Sequence, residues 1–361
     1  VSRADMLSEL MKNKKCIAVA GSHGKTTTTS LVGNILESGK LDPTIVNGGI
    51  INSLSKNNKF GKGKWMVVEA DESDGSFLKL PHEISIITNL DIEHLDYYKT
   101  PKKLYSSFEK FISNLPFYGT SIVNEDDKNL KKIIKKNDTR KIISFSKKNK
   151  KANVYIKNVI FEKDYSKFEL KFNIPINKMS GSYSYKIKAI GLHNVYNGTS
   201  SIIAALLAGV KNTYIKSALS NYIGVKRRFN YLGSINFSKI YDDYAHHPTE
   251  ILATLNGAKQ VNQNIVVVFQ PHRYSRTKIL FSEFIKVLSK IKKLYLLDTY
   301  AAGEKKIKGF ETKNIYNELK KINKNAIYVD SNKLNKIIYK ETHSHNIIIF
   351  MGAGSISKIA S

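Results

Sequence analysis

The chain has 361 residues, 42 % of them hydrophobic, and a formal net charge of +28. That length allows two domains of ordinary size with real cores, and no run approaches the ~20 apolar residues of a membrane span. The positive excess is carried by lysines spread along the chain, as in Lys131-Lys132-Ile133-Ile134-Lys135-Lys136. It reads as solvated faces with a general pull on anionic ligands, so no nucleic-acid and no membrane partner is expected.

Residues 5–12 have the spacing of a short amphipathic helix. Val1-Ser2-Arg3-Ala4-Asp5 carries neither an apolar leader segment nor an initiator Met. That points to a cytoplasmic chain that starts inside a longer one. The lone cysteine, Cys16, cannot form an internal disulfide and fits the same reducing compartment. Cys16-Ile17-Ala18-Val19-Ala20 reads as a buried strand. It runs into Gly21-Ser22-His23-Gly24-Lys25-Thr26-Thr27, and then into a helical pattern at Leu31, Val32, Ile35 and Leu36. Strand, glycine-bounded turn and helix together make the context of a phosphate-binding loop. Glycines let successive N–H groups converge on one point, and the helix N-terminus adds partial positive charge. Lys25 can reach the outer phosphates of a nucleotide, and the Thr26 hydroxyl can ligate Mg2+. Val19 stands where the longer form of the motif has a glycine. The plainer alternative is a tight strand-to-helix turn with a threonine-rich cap.

Thr44-Ile45-Val46 predicts a short strand that ends in a turn at Asn47-Gly48-Gly49. Trp65-Met66-Val67-Val68 predicts a buried strand, and Glu69, Asp71, Glu72 and Asp74 gather at its end. Like charges so crowded call for a cation, and a hydrated Mg2+ held by one or two carboxylates is the simplest account. An acidic surface turn is the alternative. The strand Ile84 to Leu90 likewise ends in Asp91 and Glu93 beside His94, a second metal or phosphate contact. Residues 101–115 have a helical period and Thr120 to Asn124 a strand pattern. Residues 141–190 alternate instead, which predicts an antiparallel appendage on a parallel sheet. Asn194 and Asn197 share a face at the start of an apolar helix. They are either caps or amides for the edge of adenine. Gly224 to Phe229 is the expected junction. Ile235 to Tyr241 and Ile265 to Phe269 then read as strands, the latter followed by a helix over 279–290.

Taken in order, these stretches resemble the Mur ligase family. The resemblance is carried by Gly21 to Thr28, Glu69 to Asp74, Thr88 to Asp91 with His94, Gly191 to Asn194 with Asn197, and Arg227-Arg228-Phe229. It spans Met6 to Gly354. Two stretches, Asp243 to Glu250 and Phe269 to Thr277, look most like the family member that acts on UDP-N-acetylmuramate and L-alanine. The resemblance implies an α/β fold in two parts. Residues 1–224 would be a central ATP-binding domain with a mostly parallel sheet plus the antiparallel appendage. Residues 225–361 would be a Rossmann-like C-terminal domain, truncated at its end. The family's N-terminal, uridine-nucleotide domain would be absent. The implied activity is ATP-dependent amide formation through an acyl phosphate in peptidoglycan precursor synthesis, by a monomer or weak dimer. The implied cofactors are ATP and Mg2+. Gly21, Ser22, His23, Gly24, Lys25, Thr26 and Thr27 would hold the phosphates, Asn194 and Asn197 the adenine, and Arg227 a phosphate from the junction. Thr26, Glu69 and His94 would hold metal. His247, Arg273 and Arg276 would face the incoming amino acid, with Tyr244 shaping its pocket and His246 left to the helix start. A sister ligase of a later stem-peptide or muropeptide-recycling step, a folylpolyglutamate synthetase, a nucleotide-dependent scaffold and a non-catalytic ligase-like fragment are the rival readings.

Overall fold

The computed structural model describes residues 1–136, 140–162, 164–322, 325–344 and 346–360, with backbone only for Asp96. The chain divides into two compact units, Val1–Val225 and Lys226–Ser361.

Among the described residues of the first unit, ten strands form one sheet. They are β1 (Lys15–Ala20), β2 (Thr44–Ile51), β3 (Lys56–Lys59), β4 (Trp65–Glu69), β5 (Ile84–Ile87), β6 (Thr120–Asn124), β7 (Lys141–Ser146), β8 (Val154–Phe161), β9 (Ser166–Ile176) and β10 (Met179–Ile187). Their order is β10-β9-β8-β7-β6-β5-β1-β4-β2-β3. The central strands are continuous apolar runs because both faces are covered. Along β1, Ile17 and Val19 face one core with the helices Lys25–Ser38 and Leu192–Leu207, while Cys16, Ala18 and Ala20 face the other with the helix Pro101–Ser113. Along β9 the burial alternates, with Phe168, Leu170 and Phe172 turned inward, as a strand covered on one face requires.

Three expectations are corrected here. The appendage begins later than its alternating pattern suggests: β7 still pairs parallel with both β6 and β8, and the antiparallel pairs of this stretch are β8 with β9 and β9 with β10. Asn47-Gly48-Gly49 is not a turn but part of β2, where the pairing with β3 slips between Val46 and Ile51. In the second unit, the run of strands expected over Ile235 to Tyr241 begins earlier, at Asn230, and ends at Asp243. It breaks at Asn236, with φ of 50°, into the hairpin β11 (Asn230–Ile235) and β12 (Ser238–Asp243).

The second sheet continues with β13 (Ile265–Phe269), β14 (Lys293–Leu296), β15 (Ala326–Tyr328) and β16 (Ile347–Met351), in the order β11-β12-β16-β13-β14-β15. All pairs but β11 with β12 are parallel. Val267 and Phe269 face one core and Val266 and Val268 the other. The helix expected over 279–290 is Phe281–Leu288, and a separate short helix, Tyr274–Ile279, precedes it. No described helix is long and apolar enough to cross a membrane.

Candidate active site

In the first unit β1 lies between β4 and β5, with Val19 opposite Glu69 and Ala20 opposite Ile87. The loops that follow these three parallel strands therefore leave the same edge side by side, where open α/β sheets bind ligands. Gly21 has φ of 125° and Gly24 of 82°. A Cβ on Gly21 would lie 2.3 Å from Thr88 Oγ1, and one on Gly24 2.8 Å from Asn197 Oδ1. Only glycine fits both the backbone and the space. Ser22 N–H donates to Asn89 O at 3.1 Å and His23 N–H to Asn89 Oδ1 at 2.9 Å. The His23 ring reaches Asp91 at 2.9 Å. The helix then opens with Thr28 N–H on Gly24 O at 2.9 Å. The N–H groups of Lys25, Thr26 and Thr27 are thus left without acceptors inside the helix, which is the anion-binding geometry of a helix start.

Lys25 Nζ donates to Gly21 O at 2.6 Å, Ser22 O at 3.3 Å and Glu72 Oε1 at 2.9 Å. Glu72 is 1 % exposed. Burial works against the Lys25 charge, but the Glu72 carboxylate, joined by Glu69 and Asp71, holds the ammonium above the ordinary lysine range. Thr26 Oγ1 donates to Glu69 Oε1 at 3.0 Å, and Gly48 N–H to Glu69 Oε2 at 2.7 Å. A Cβ on Gly48 would stand 2.7 Å from Oε2 and 2.8 Å from Oε1. A hydroxyl and a carboxylate seated against the Gly48 backbone fit a hard divalent cation. His94 has φ of 56° and starts the short helix Leu95–Tyr98. The expectation set it beside Glu69. Its ion-pair neighbour is Glu72, with Nε2 3.8 Å from Oε1, and one ligand atom each of Glu72, Glu93 and His94 lie within 4.8 Å of one another. The sequence shows Glu72 only as one of four carboxylates after β4, and no spacing rule tells which of them turns inward beneath the loop.

The helix Leu192–Leu207 is capped by Gly191, so neither asparagine caps it. Asn194 Nδ2 donates to Ile190 O at 2.9 Å, and Asn197 lies against Gly24, buried to 6 % exposure. Asn197 thus sits where the loop and this helix meet, and its Nδ2 donates to Asn194 Oδ1 at 3.4 Å.

In the second unit, Asp243 and Phe269 both pair with Met351, so the loops after β12, β13 and β16 are neighbours. Asp243 accepts N–H bonds from Phe229 and Ala245, each at 2.7 Å, and burial pushes its carboxyl up to about 6. Arg227 donates to Gly352 O at 2.5 Å and stacks over Tyr244 at 4.8 Å. Arg228 reaches Glu250 at 3.3 Å. His247, not His246, forms the helix start: its Nδ1 accepts from Thr249 N–H at 3.3 Å, in a capping box with Glu250. His246 Nδ1 meets Tyr244 O at 2.9 Å. Arg273 is exposed, with φ of 69° and ψ of 133°. Arg276 lies against His272, which carries no role in the sequence reading. Arg273 thus ends the loop after β13, Arg276 stands on the helix Tyr274–Ile279 that follows, and His247 ends the neighbouring loop after β12.

A phosphate-binding loop at the switch point of one parallel sheet, in one chain with a second α/β unit whose loops carry arginine and histidine, is the architecture of an enzyme that uses a nucleoside triphosphate. Residues 19–205 match the Mur ligase middle domain, and residues 227–354 match the Mur ligase, glutamate ligase domain. The chain belongs to the Mur ligase family. It is 41 % identical to the UDP-N-acetylmuramate–L-alanine ligase of Pelagibacter ubique, over 98 % of this chain and 77 % of that one. It is 40 % identical to the ligase of the same name from Hydrogenobaculum, over 99 % of this chain and 78 % of the other. The crystal structure of UDP-N-acetylmuramate-alanine ligase from Thermotoga maritima superposes with a TM-score of 0.80 at 28 % identity, covering 99 % of this chain and 76 % of that one. A murein peptide ligase from Psychrobacter arcticus, at 22 % identity and a TM-score of 0.68, shares the fold.

Proposed function

We propose that the chain joins L-alanine to the carboxylate of UDP-N-acetylmuramate with ATP, in the cytoplasmic synthesis of peptidoglycan precursors, as a monomer or weak dimer. It is an ATP-dependent, amide-forming ligase. The observation that carries the reading is identity of about two residues in five, along the whole chain, to ligases of that name.

The chemistry sets the demands on the site. A carboxylate is a poor electrophile, so one of its oxygens first attacks the γ-phosphorus and ADP leaves. The amine nitrogen then attacks the acyl carbon, and phosphate departs with the electrons of the broken C–O bond while the amine gives up a proton. Most of the protein's work is positioning and charge neutralisation. Lys25 and the N–H groups of the first helical turn, Thr26 and Thr27 among them, hold the outer phosphates. To do so Lys25 turns from Gly21 O and Ser22 O toward the ligand. Gly21, Ser22, His23 and Gly24 shape the loop, and Asn194 and Asn197 serve the adenine. Thr26 and Glu69 would hold one Mg2+ and His94 a second, and the bound ions supply neutralising charge to the phosphoryl oxygens. Arg227 adds a cation for phosphate. Arg273 and Arg276 bind the amino-acid carboxylate, since a guanidinium fork matches both oxygens. His247 fixes the loop that faces the amine.

The test is phosphate release from ATP and Mg2+, with UDP-N-acetylmuramate and a panel of amino acids, against Lys25→Ala. Release that needs both the UDP-sugar and L-alanine and is lost in the variant is the expected result. Release indifferent to either substrate refutes the reading. Because a single methylene discriminates by only ~1–3 kcal/mol, slower turnover with glycine and serine is expected in the same panel.

A further inference from the structure

We infer that His272 is a positioning residue for amino-acid capture: clamped on Tyr300, it holds the Arg276 guanidinium in its working direction. The inference rests on the reading that Arg276 meets the amino-acid carboxylate. Arg276 donates from one terminal nitrogen to His272 Nδ1 at 3.1 Å and to His272 O at 3.2 Å. A guanidinium only donates, so Nδ1 must be the acceptor and the imidazole proton lies on Nε2. The ring itself is fixed. It stacks on Tyr300 with centroids 5.6 Å apart and planes 9° from parallel. The backbone repeats the clamp: His272 and Tyr300 form a β-bridge, with Tyr300 N–H on Pro271 O at 2.8 Å and Arg273 N–H on Tyr300 O at 2.9 Å.

The surroundings keep the acceptor lone pair available. Burial, then Arg276 and Arg273, push the His272 imidazolium down to about 4, with Arg227 adding to this and Glu304 opposing it. The His246 ring also faces it, with centroids 5.9 Å apart. A protonated ring here would repel the arginine it is meant to hold. The mechanical need is plain as well. Arginine has a long, rotamer-rich side chain, and fixing one edge of the fork before the substrate arrives aims the other edge and lowers the ordering entropy of capture.

The experiment compares His272→Phe, which keeps a flat ring for Tyr300 but removes Nδ1, with His272→Asn, which restores an acceptor, and with Arg276→Ala. In His272→Phe the KM for L-alanine should rise about tenfold while kcat stays within about threefold and the KM for ATP is unchanged, as expected for a misaimed binding group. His272→Asn should recover most of that loss. A KM for L-alanine in His272→Phe that stays at the wild-type value, while Arg276→Ala raises it, would overturn the inference and leave the reading of Arg276 intact. A wild-type KM in Arg276→Ala would sink that reading, and this inference with it. A second measurement needs no turnover: the imidazole titration of His272 by NMR should move upward in Arg276→Ala, and an unmoved titration would show that the contact is not made.

Discussion

Three residues expected at the site, His94, Arg227 and Arg273, have positive φ although none is glycine. Such backbone costs on the order of 1–3 kcal/mol each and persists only where the surroundings enforce it. Arg273 is the sharpest case, since its ψ of 133° takes it out of the left-handed helical well into a region that favours glycine. Arg273→Gly should therefore melt higher than Arg273→Ala by about 1 kcal/mol in a denaturant titration, with turnover lost in both. An equal midpoint would mean that the loop relaxes freely. Gly48 carries the opposite constraint, because a methyl there would press on both Glu69 oxygens. Gly48→Ala should raise the Mg2+ concentration needed for half-maximal turnover about tenfold, while nucleotide binding measured without Mg2+ changes little. At this scale the sequence is legible where chemistry is carried by the motif itself, as at Lys25 and Thr26. It is opaque where a side chain's role depends on which way a loop turns. Glu72 under Lys25 and His272 under Arg276 are partners across loops or turns, and residue type alone does not announce them.

The strands were legible because burial on two faces writes a continuous apolar run, and burial on one face writes an alternation; β1 and β13 are examples of the first. The misread segments are those in which polar or glycine residues are kept in an element for a neighbour's sake. Asn47-Gly48-Gly49 carries the letters of a turn, yet stays in β2 because Gly48 N–H is needed by Glu69. The His247 cap invites a division of labour. His247→Asn keeps a side-chain acceptor at the helix start, so the protein should melt as the wild type does, whereas His247→Ala should cost about 1 kcal/mol. Any further loss of turnover in the asparagine variant then belongs to the imidazole. His82 bears on the helix Pro101–Ser113. It is buried, donates from Nδ1 to Leu80 O at 2.8 Å and stacks on Phe111 at 4.3 Å. Burial holds its imidazolium below the ordinary value of 6.5. The unfolded chain therefore takes up this proton first, so stability is full above that pH and falls as the pH drops through it. His82→Phe should flatten the decline in melting temperature between pH 7 and pH 5, and an unchanged slope would place the acid sensitivity elsewhere.

Each unit has its own pair of apolar clusters, and no described cluster mixes residues of the two. Residues 226–361 expressed alone should therefore show a cooperative melt, and a featureless one would deny that unit its independence. The net charge of +28 acts on the whole molecule. Self-repulsion among so many lysines is screened by salt, so the melting temperature should rise as NaCl is added from low ionic strength, while the KM for the anionic UDP-sugar rises with it.

The end of the ten-stranded sheet bears on a different property. An open sheet finishes in a row of backbone N–H and C=O groups that can template a strand from another molecule. Here the last strand, β3, is only four residues long and reads Lys56-Asn57-Asn58-Lys59. Lys59 is held by Asp42 at 2.7 Å and by Glu37. A second copy approaching this edge would have to strip water from two ammonium groups and pull one of them from its carboxylates. The short lysine-bounded strand thus acts as a guard against edge-to-edge aggregation, a hazard that high protein concentration would otherwise impose on so wide a sheet.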